Sequence, residues 1–336
     1  MALKPPVEVP QGAIRLNTDS QKLEFFAQDQ WWEMATEDAA PIGGRGVCIG
    51  SEGGTTNTME YISMSTTGTA TDFGDLQSGV GAAGAAASRT RGLKFGGVTT
   101  YPGTFTNEID YIEIASAGNG IDFGNLTTQR RAMYGFGDAT RAGTCGGAKP
   151  SYTATRTSID YVTIASKGDT VSFGDISTAT SCNGSSQWGS RTRGMLLANK
   201  SNSPATRTNR IEYITIQTTG NAIEFGDMTN DPANPLFAGN SVRGMVCGGS
   251  TPSAINTIQY FTISTLGNAQ DFGDLTVGTT SEASGFSSPL RAVWHDSGQT
   301  YLDASIIATR GNSVDWGNFI SSHNHNSALT NCHGGL

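Results

Sequence analysis

Residues 71–77 read Thr-Asp-Phe-Gly-Asp-Leu-Gln, and this stretch decides the fold. Its pattern returns as DFGN at 122–125, SFGD at 172–175, EFGD at 224–227, DFGD at 271–274 and DWGN at 315–318. The six aromatics, Phe73, Phe123, Phe173, Phe225, Phe272 and Trp316, stand 50, 50, 52, 47 and 44 residues apart. A lone Asp-Phe-Gly suggests the magnesium clamp of a phosphotransferase. That site needs a glycine-rich loop, a strand lysine and a catalytic aspartate around it, and one site does not recur at even intervals. The period instead predicts a repeat architecture.

Each repeat has two further parts. One is an arginine followed by small and apolar residues: Arg45, Arg91, Arg141, Arg193, Arg243 and Arg291. The other is an acidic-aromatic run: MEYISM at 59–64, IDYIEI at 109–114, IDYVTI at 159–164, IEYITI at 211–216 and IQYFTI at 258–263, decaying to LDASII at 302–307. In IDYIEI, Ile109 and Tyr111 point one way and Ile112 and Ile114 the other. Apolar residues on both faces predict a strand covered on both sides. Stretches of small residues such as GAAGAAAS at 81–88 precede the arginine segments and predict a fourth strand in a crowded place.

Four strands in each of six units predict an all-β fold, a six-bladed β-propeller. An open solenoid is the competing geometry. Repeat one, starting near residue 43, has no small-residue segment before it, so the tail 319–336 is expected to close the ring. The unit resembles the kelch repeat, through Gly-Gly after the arginine strand, the tyrosine strand and the period; phenylalanine replaces that family's late tryptophan in five units. The resemblance covers residues 43–320 and implies a fold without naming a function.

Composition agrees with short strands and tight turns: 336 residues include 44 glycines and only 15% charged residues. A net charge of −8 argues against a nucleic-acid partner. No run of 18 apolar residues is present, so no membrane insertion is expected, and MALKPPVEVPQGAIRLN has no apolar core like a signal peptide's. Cys48, Cys145, Cys182, Cys247 and Cys332 lack a C-x-x-C spacing and are expected to be reduced, buried thiols.

Acids recur before the strand tyrosine. Asp110, Asp160 and Glu212, with Glu60, are expected to pair with Arg91, Arg141, Arg193 and Arg243 within each blade, since a guanidinium forks a carboxylate. The alternative is an arginine ring around an anion channel. His295 stands where other repeats carry apolar residues or cysteine and is expected to be a satisfied, half-buried histidine. His323 and His325 form His-x-His in a tail that also carries Cys332 and His333, a candidate metal site. The irregular stretches 184–192 and 229–237 offer Trp188 and Phe237 as exposed aromatics for stacking on a sugar. No acid, base or nucleophile stands apart from the repeat, and the Ser-x-Asp-x-Gly-x-x-Trp boxes of sialidases are missing, so neither enzyme activity nor a cofactor is expected.

Residues 12–34 predict a small β-meander of three strands, with Ile14, Arg15, Leu23, Phe25, Trp31 and Trp32 as its attachment residues. So small a piece needs a partner surface or copies of itself. Gly12, Ile14, Arg15, Asn17, Thr18, Leu23, Glu24, Phe26 and Trp31 resemble a segment common in bacteriophage tail fibres. The Phe-Gly-Asp and Arg-Gly repeats are also similar to those of phage structural proteins, cyanophage ones in particular. The resemblance implies an attachment segment at 1–40 and a propeller at 41–336. The chain is then a homo-oligomeric virion component of a tail fibre or baseplate, assembled in the host bacterial cytoplasm. Its partners are other virion proteins and a host cell-surface glycan. A capsid decoration or head fibre is the alternative, and a carbohydrate-active enzyme the third reading. Deletion of 319–336 is expected to lower the melting temperature sharply; a truncated chain that melts like the full one refutes closure by the tail.

Overall fold

The tyrosine strand sets the architecture. Its alternate residues bury on both faces, as with Ile109 at 0% and Ile112 at 3% exposure. Such a strand lies inside its sheet with neighbours on both edges. The computed structural model describes residues 9–17, 22–33, 44–51, 56–100, 103–150, 154–181, 185–197, 200–202, 205–279 and 284–336. All named elements are strands, and the protein is all-β with several sheets. Two compact units divide it, Met1–Pro41 and Ile42–Leu336. The boundary expected at residue 40 lies outside the described residues.

Repeat three shows the plan of the larger unit. A small-residue strand (Tyr134–Gly137) pairs with an arginine strand (Arg141–Cys145). The arginine strand pairs with a tyrosine strand (Arg156–Thr163), and that with a Phe-Gly strand (Val171–Thr180), all antiparallel. Repeats two, five and six have the same order. Repeat one takes its small-residue strand, Ser327–Thr330, from the tail, in antiparallel register with Arg45–Ser51 (Ser327↔Ile49, Thr330↔Gly46). Small-residue strands of consecutive repeats touch one another, and Ser327–Thr330 touches both Ser284–Ser287 and Gly84–Ala87.

The recurring Phe-Gly-Asp receives a physical explanation. In all six repeats the register slips at the aromatic: Ile159 faces Gly174 while Asp160 faces Ser172, which leaves Phe173 as the extra residue of a β-bulge. The equivalent bulge recurs with Phe73, Phe123, Phe225, Phe272 and Trp316. The bulged ring turns into the core, where Phe173 meets Tyr161 edge-on at 5.5 Å. The glycine after it has a positive φ, +156° at Gly174, and rests against the next repeat: a Cβ there would lie 2.2 Å from the Gly220 carbonyl oxygen. Two backbone hydrogen bonds cross this seam, Gly220 N to Phe173 O at 2.8 Å and Ala222 N to Asp175 O at 2.9 Å. The Asn221 side chain accepts from Asp175 N at 3.0 Å. Asn119, Asp169, Asn268 and Asn312 repeat that contact at other seams. The last seam returns to the first repeat, where Gly317 pairs with Gly68.

The smaller unit is a three-stranded meander, Ile14–Asn17, Lys22–Ala27 and Gln30–Glu33. Gln28 and Asp29, at φ +54° and +60°, form the two-residue turn of its second hairpin.

Alanine at Gly220 meets nothing within 4 Å and bears only backbone strain, whereas alanine at Gly174 also collides with the neighbouring repeat. Urea unfolding is expected to show G220A destabilised by about 1–3 kcal/mol and G174A by clearly more; equal losses would mean that the contact between repeats contributes nothing.

Candidate interaction surfaces

The recurring arginines and acids do not pair with each other. Five of the six arginines instead lie over the tyrosine of their own repeat, as Arg193 does over Tyr213 at 4.5 Å. The guanidinium donates to a backbone carbonyl of the next repeat: Arg91 to Ile164 O, Arg141 to Ile216 O, Arg193 to Ile263 O and Arg243 to Ile307 O. The acids reach the other way, to the preceding repeat. Glu212 accepts from Ser177 N at 3.1 Å, Gln259 from Thr229 N at 2.7 Å and Asp303 from Thr276 N at 2.9 Å. Arginine and acid sit on opposite sides of their own sheet's seams, so the fork expected within one repeat cannot form. Where an acid does find a cation, the cation lies outside the recurring set. Lys94 stands 3.1 Å from Asp110, and Arg130 stands 2.5 Å from Asp160. Burial raises the Asp110 carboxyl above its ordinary value despite Lys94.

Repeat six keeps the acid, as Asp303, but carries Ala304 where the tyrosine belongs. Arg291 lies over the Trp316 ring at 5.0 Å instead. The larger aromatic on the Phe-Gly strand thus takes over the role of the missing tyrosine.

Trp188 and Phe237 are not exposed. They are 3% and 1% accessible and stack on each other with centroids 5.2 Å apart. The stretch around Trp188 is irregular because it contacts the small-residue strands of several repeats. Ser186 Oγ accepts from Gly285 N at 2.7 Å, Gln187 Oε1 accepts from Ala87 N at 2.6 Å, and Ser185 pairs with Ser327. The tail completes the filling. His333 Nδ1 accepts from Gly335 N at 3.0 Å, so Nε2 carries the proton and donates to Ala87 O at 2.8 Å. Arg191 Nε donates to Leu336 O at 3.0 Å.

The candidate metal pair separates as well. His323 ends the strand Val314–His323, while His325 sits beyond it in a left-handed conformation at φ +51°. Among the described residues no group of three or more His, Cys, Asp or Glu is placed to hold a metal ion. His323 pairs instead with Glu60 at 3.2 Å. Burial pulls the His323 imidazolium down, but the neighbouring Cys48 sulfur and the Glu60 carboxylate push it up to about 11. Burial acts to raise Glu60, yet His323, Ser321 and Ile320 N outweigh it and hold the carboxyl below its ordinary 4.5. His295 is fully rather than half buried and, desolvated, drops to about 4. Cys48, Cys145, Cys247 and Cys332 are buried and form no disulfide among the described residues; Cys182 lies outside them.

The meander presents two unlike faces. Cross-strand partners Ile14↔Phe25↔Trp32 and Leu16↔Leu23 share one face, where Ile14 is 62%, Leu16 60%, Leu23 45% and Trp32 43% exposed. The other face carries Arg15, which pairs with Glu24 at 2.7 Å and lies over Trp31 at 4.1 Å.

One device escaped the sequence reading. The hairpin before five of the six repeat arginines starts with Ser, Asp or Asn, whose side chain accepts from the arginine N: Ser88, Asp138, Ser190, Asn240 and Ser288; at Arg45 the acceptor is Asn331 of the tail, at 2.8 Å. The signal was a short polar residue three positions before those five arginines, a turn signature with this mechanism. Between the hairpins of repeats four and five lies a cavity of about 430 Å³, lined by Arg191, Thr192, Arg193, Ser241, Ile263 and Ser264.

The His323–Glu60 pair implies a pH dependence. Its folded-state imidazole value lies above the ordinary 6.5, so its contribution is complete below pH 6.5 and declines as pH rises toward 11. Urea unfolding across that range is expected to show H323Q least stable relative to the parent near pH 6, with the difference shrinking in alkali. A constant difference would mean that the pair carries no charge. Compared with known proteins, the chain matches no family model and no curated protein sequence.

Proposed function

We propose that the chain is a structural component of a tailed-phage virion, an appendage of the tail fibre or baseplate. In this reading residues 44–336 form a six-bladed, kelch-like propeller. The support is that the seams run from each repeat to the next and return from Gly317 to Gly68, while the tail strand joins repeat one. The observation that carries the functional reading is the contrast between the two units. The repeats spend their arginines, acids, histidines and irregular aromatics on internal contacts, which suits a rigid platform. The meander instead leaves Ile14, Leu16, Leu23 and Trp32 on one exposed apolar face. A face like that fits docking onto the particle or onto further copies of itself. The repeats then display rim loops toward a host-surface glycan or another virion protein, and adhesion replaces bond chemistry.

The test is gold-tagged antibody against residues 43–320 on intact particles. Gold at the tail tip or fibres is the expected result. Gold over the whole head would move the protein to the capsid as a decoration or head fibre, and particles without gold would overturn the virion reading.

A further inference from the structure

The surface between repeats four and five opens into a cavity whose lining points to a use. At the seam of repeats three and four, Gln217 fills the space beside the hairpin and donates to Asp138 and to Thr140 Oγ1. The equivalent residue at the seam of repeats four and five is Ser264, with a hydroxyl where Gln217 has a further methylene and an amide; Ser65, Ala115, Ala165 and Ala308 stand there in the other repeats. Asp138 has its counterpart in Ser190 there, and the hairpin contributes Arg191 where Ala139 stands in repeat three. The cavity of about 430 Å³ lies at this seam. Relative to the seam of repeats three and four, a small residue stands in place of the filling amide and an arginine-bearing hairpin in place of an acid-bearing one; repeat two carries the same Ser-Arg-Thr-Arg hairpin at 88–91.

The chemistry of the lining follows. Arg191 and Arg193 bring two positive charges and no lining residue is acidic, within a chain of net charge −8. Both guanidiniums are anchored, Arg191 Nε on Leu336 O at 3.0 Å and Arg193 Nη1 on Ile263 O at 2.5 Å. Anchored donors lose little freedom on meeting a ligand. Thr192, Ser241 and Ser264 add hydroxyls, and Ile263 an apolar patch. A planar carboxylate matches a guanidinium, sugar hydroxyls match serine and threonine, and the C–H face of a sugar ring matches the isoleucine. The volume falls in the range of small-ligand sites, about 300–1,000 Å³. We infer that the cavity between the hairpins of repeats four and five binds a carboxylate-bearing sugar, a uronic-acid unit of a glycan. This deepens the adhesive reading by naming its ligand class.

The experiment is a titration of the full chain with sodium glucuronate, followed by ligand-observed NMR, with glucose and inorganic phosphate as companions. Saturable glucuronate binding in the millimolar range is expected, with glucose about tenfold weaker for want of the charged hydrogen bonds. Substitution S264Q, which copies the filled seam, and R191Q, at an exposed position, are each expected to weaken glucuronate about tenfold or more. Glucose binding as well as glucuronate, glucuronate binding untouched by both variants, or no binding at all overturns the assignment. Phosphate that displaces glucuronate at equal concentration makes the cavity a bare anion site and overturns the sugar. None of these outcomes depends on where the protein sits in a particle, so failure here is distinguishable from failure of the virion reading.

Discussion

Everything in the larger unit depends on how one repeat is held to the next. The Phe-Gly-Asp bulge is half of that joint, and the Gly-Asn or Gly-Asp turn of the following repeat is the other half. Five of the six joints combine two backbone hydrogen bonds with a side-chain cap, as at Phe173–Asp175 against Gly220–Ala222. Net contributions of about 0.5–1.5 kcal/mol per bond make a single joint modest. Its specificity comes from the glycine, because a Cβ at Gly124, Gly174, Gly226, Gly273 or Gly317 would fall within 2.4 Å of the neighbouring carbonyl oxygen. The approach is so close that only hydrogen fits, so the aromatic before it and the polar turn after it must stay in register.

Around this joint the charged residues act as ties. Arginines reach forward to the carbonyls of the following repeat, and acids reach back to the amides of the preceding one. An exposed arginine–tyrosine stack contributes about 0.5–1 kcal/mol, less than the joint it flanks, so the arginines hold direction more than stability. In two repeats the acid meets a buried cation, Lys94 at Asp110 and Arg130 at Asp160, where Thr127 of the preceding repeat also donates to the carboxylate. Buried pairs of this kind cost much when broken and contribute little when whole. They fix the pairing of particular neighbours, and the tail extends that to the whole set: Ser327–Thr330 completes repeat one, and His323 crosses to Glu60.

The same economy explains where most of the unusual residues of the sequence are found. Trp188, Phe237, His323 and His333 all fill interior space. Departure from the repeat pattern in these places marks where the interior had to be packed. Arg191 and Ser264 differ in kind, since they line open space at a surface seam.

Much was legible in the chain alone. The period, the two-faced tyrosine strand and the missing small-residue strand before Arg45 are local or periodic features, and they specify β structure, the unit length and a role for the tail. The meander likewise follows from alternation and turn residues between Ile14 and Trp32. Partner choice was not legible. Asp110 meets Lys94 and Glu212 meets Ser177, and Arg193 meets Ile263 O, because residues that share a repeat face opposite seams once sheets are set side by side. Whether Trp188 is a surface ring or a core ring also depends on what the other repeats bring to it. Periodicity carries the order of strands within a repeat; the contacts between repeats are long-range, and only the tertiary structure decides them.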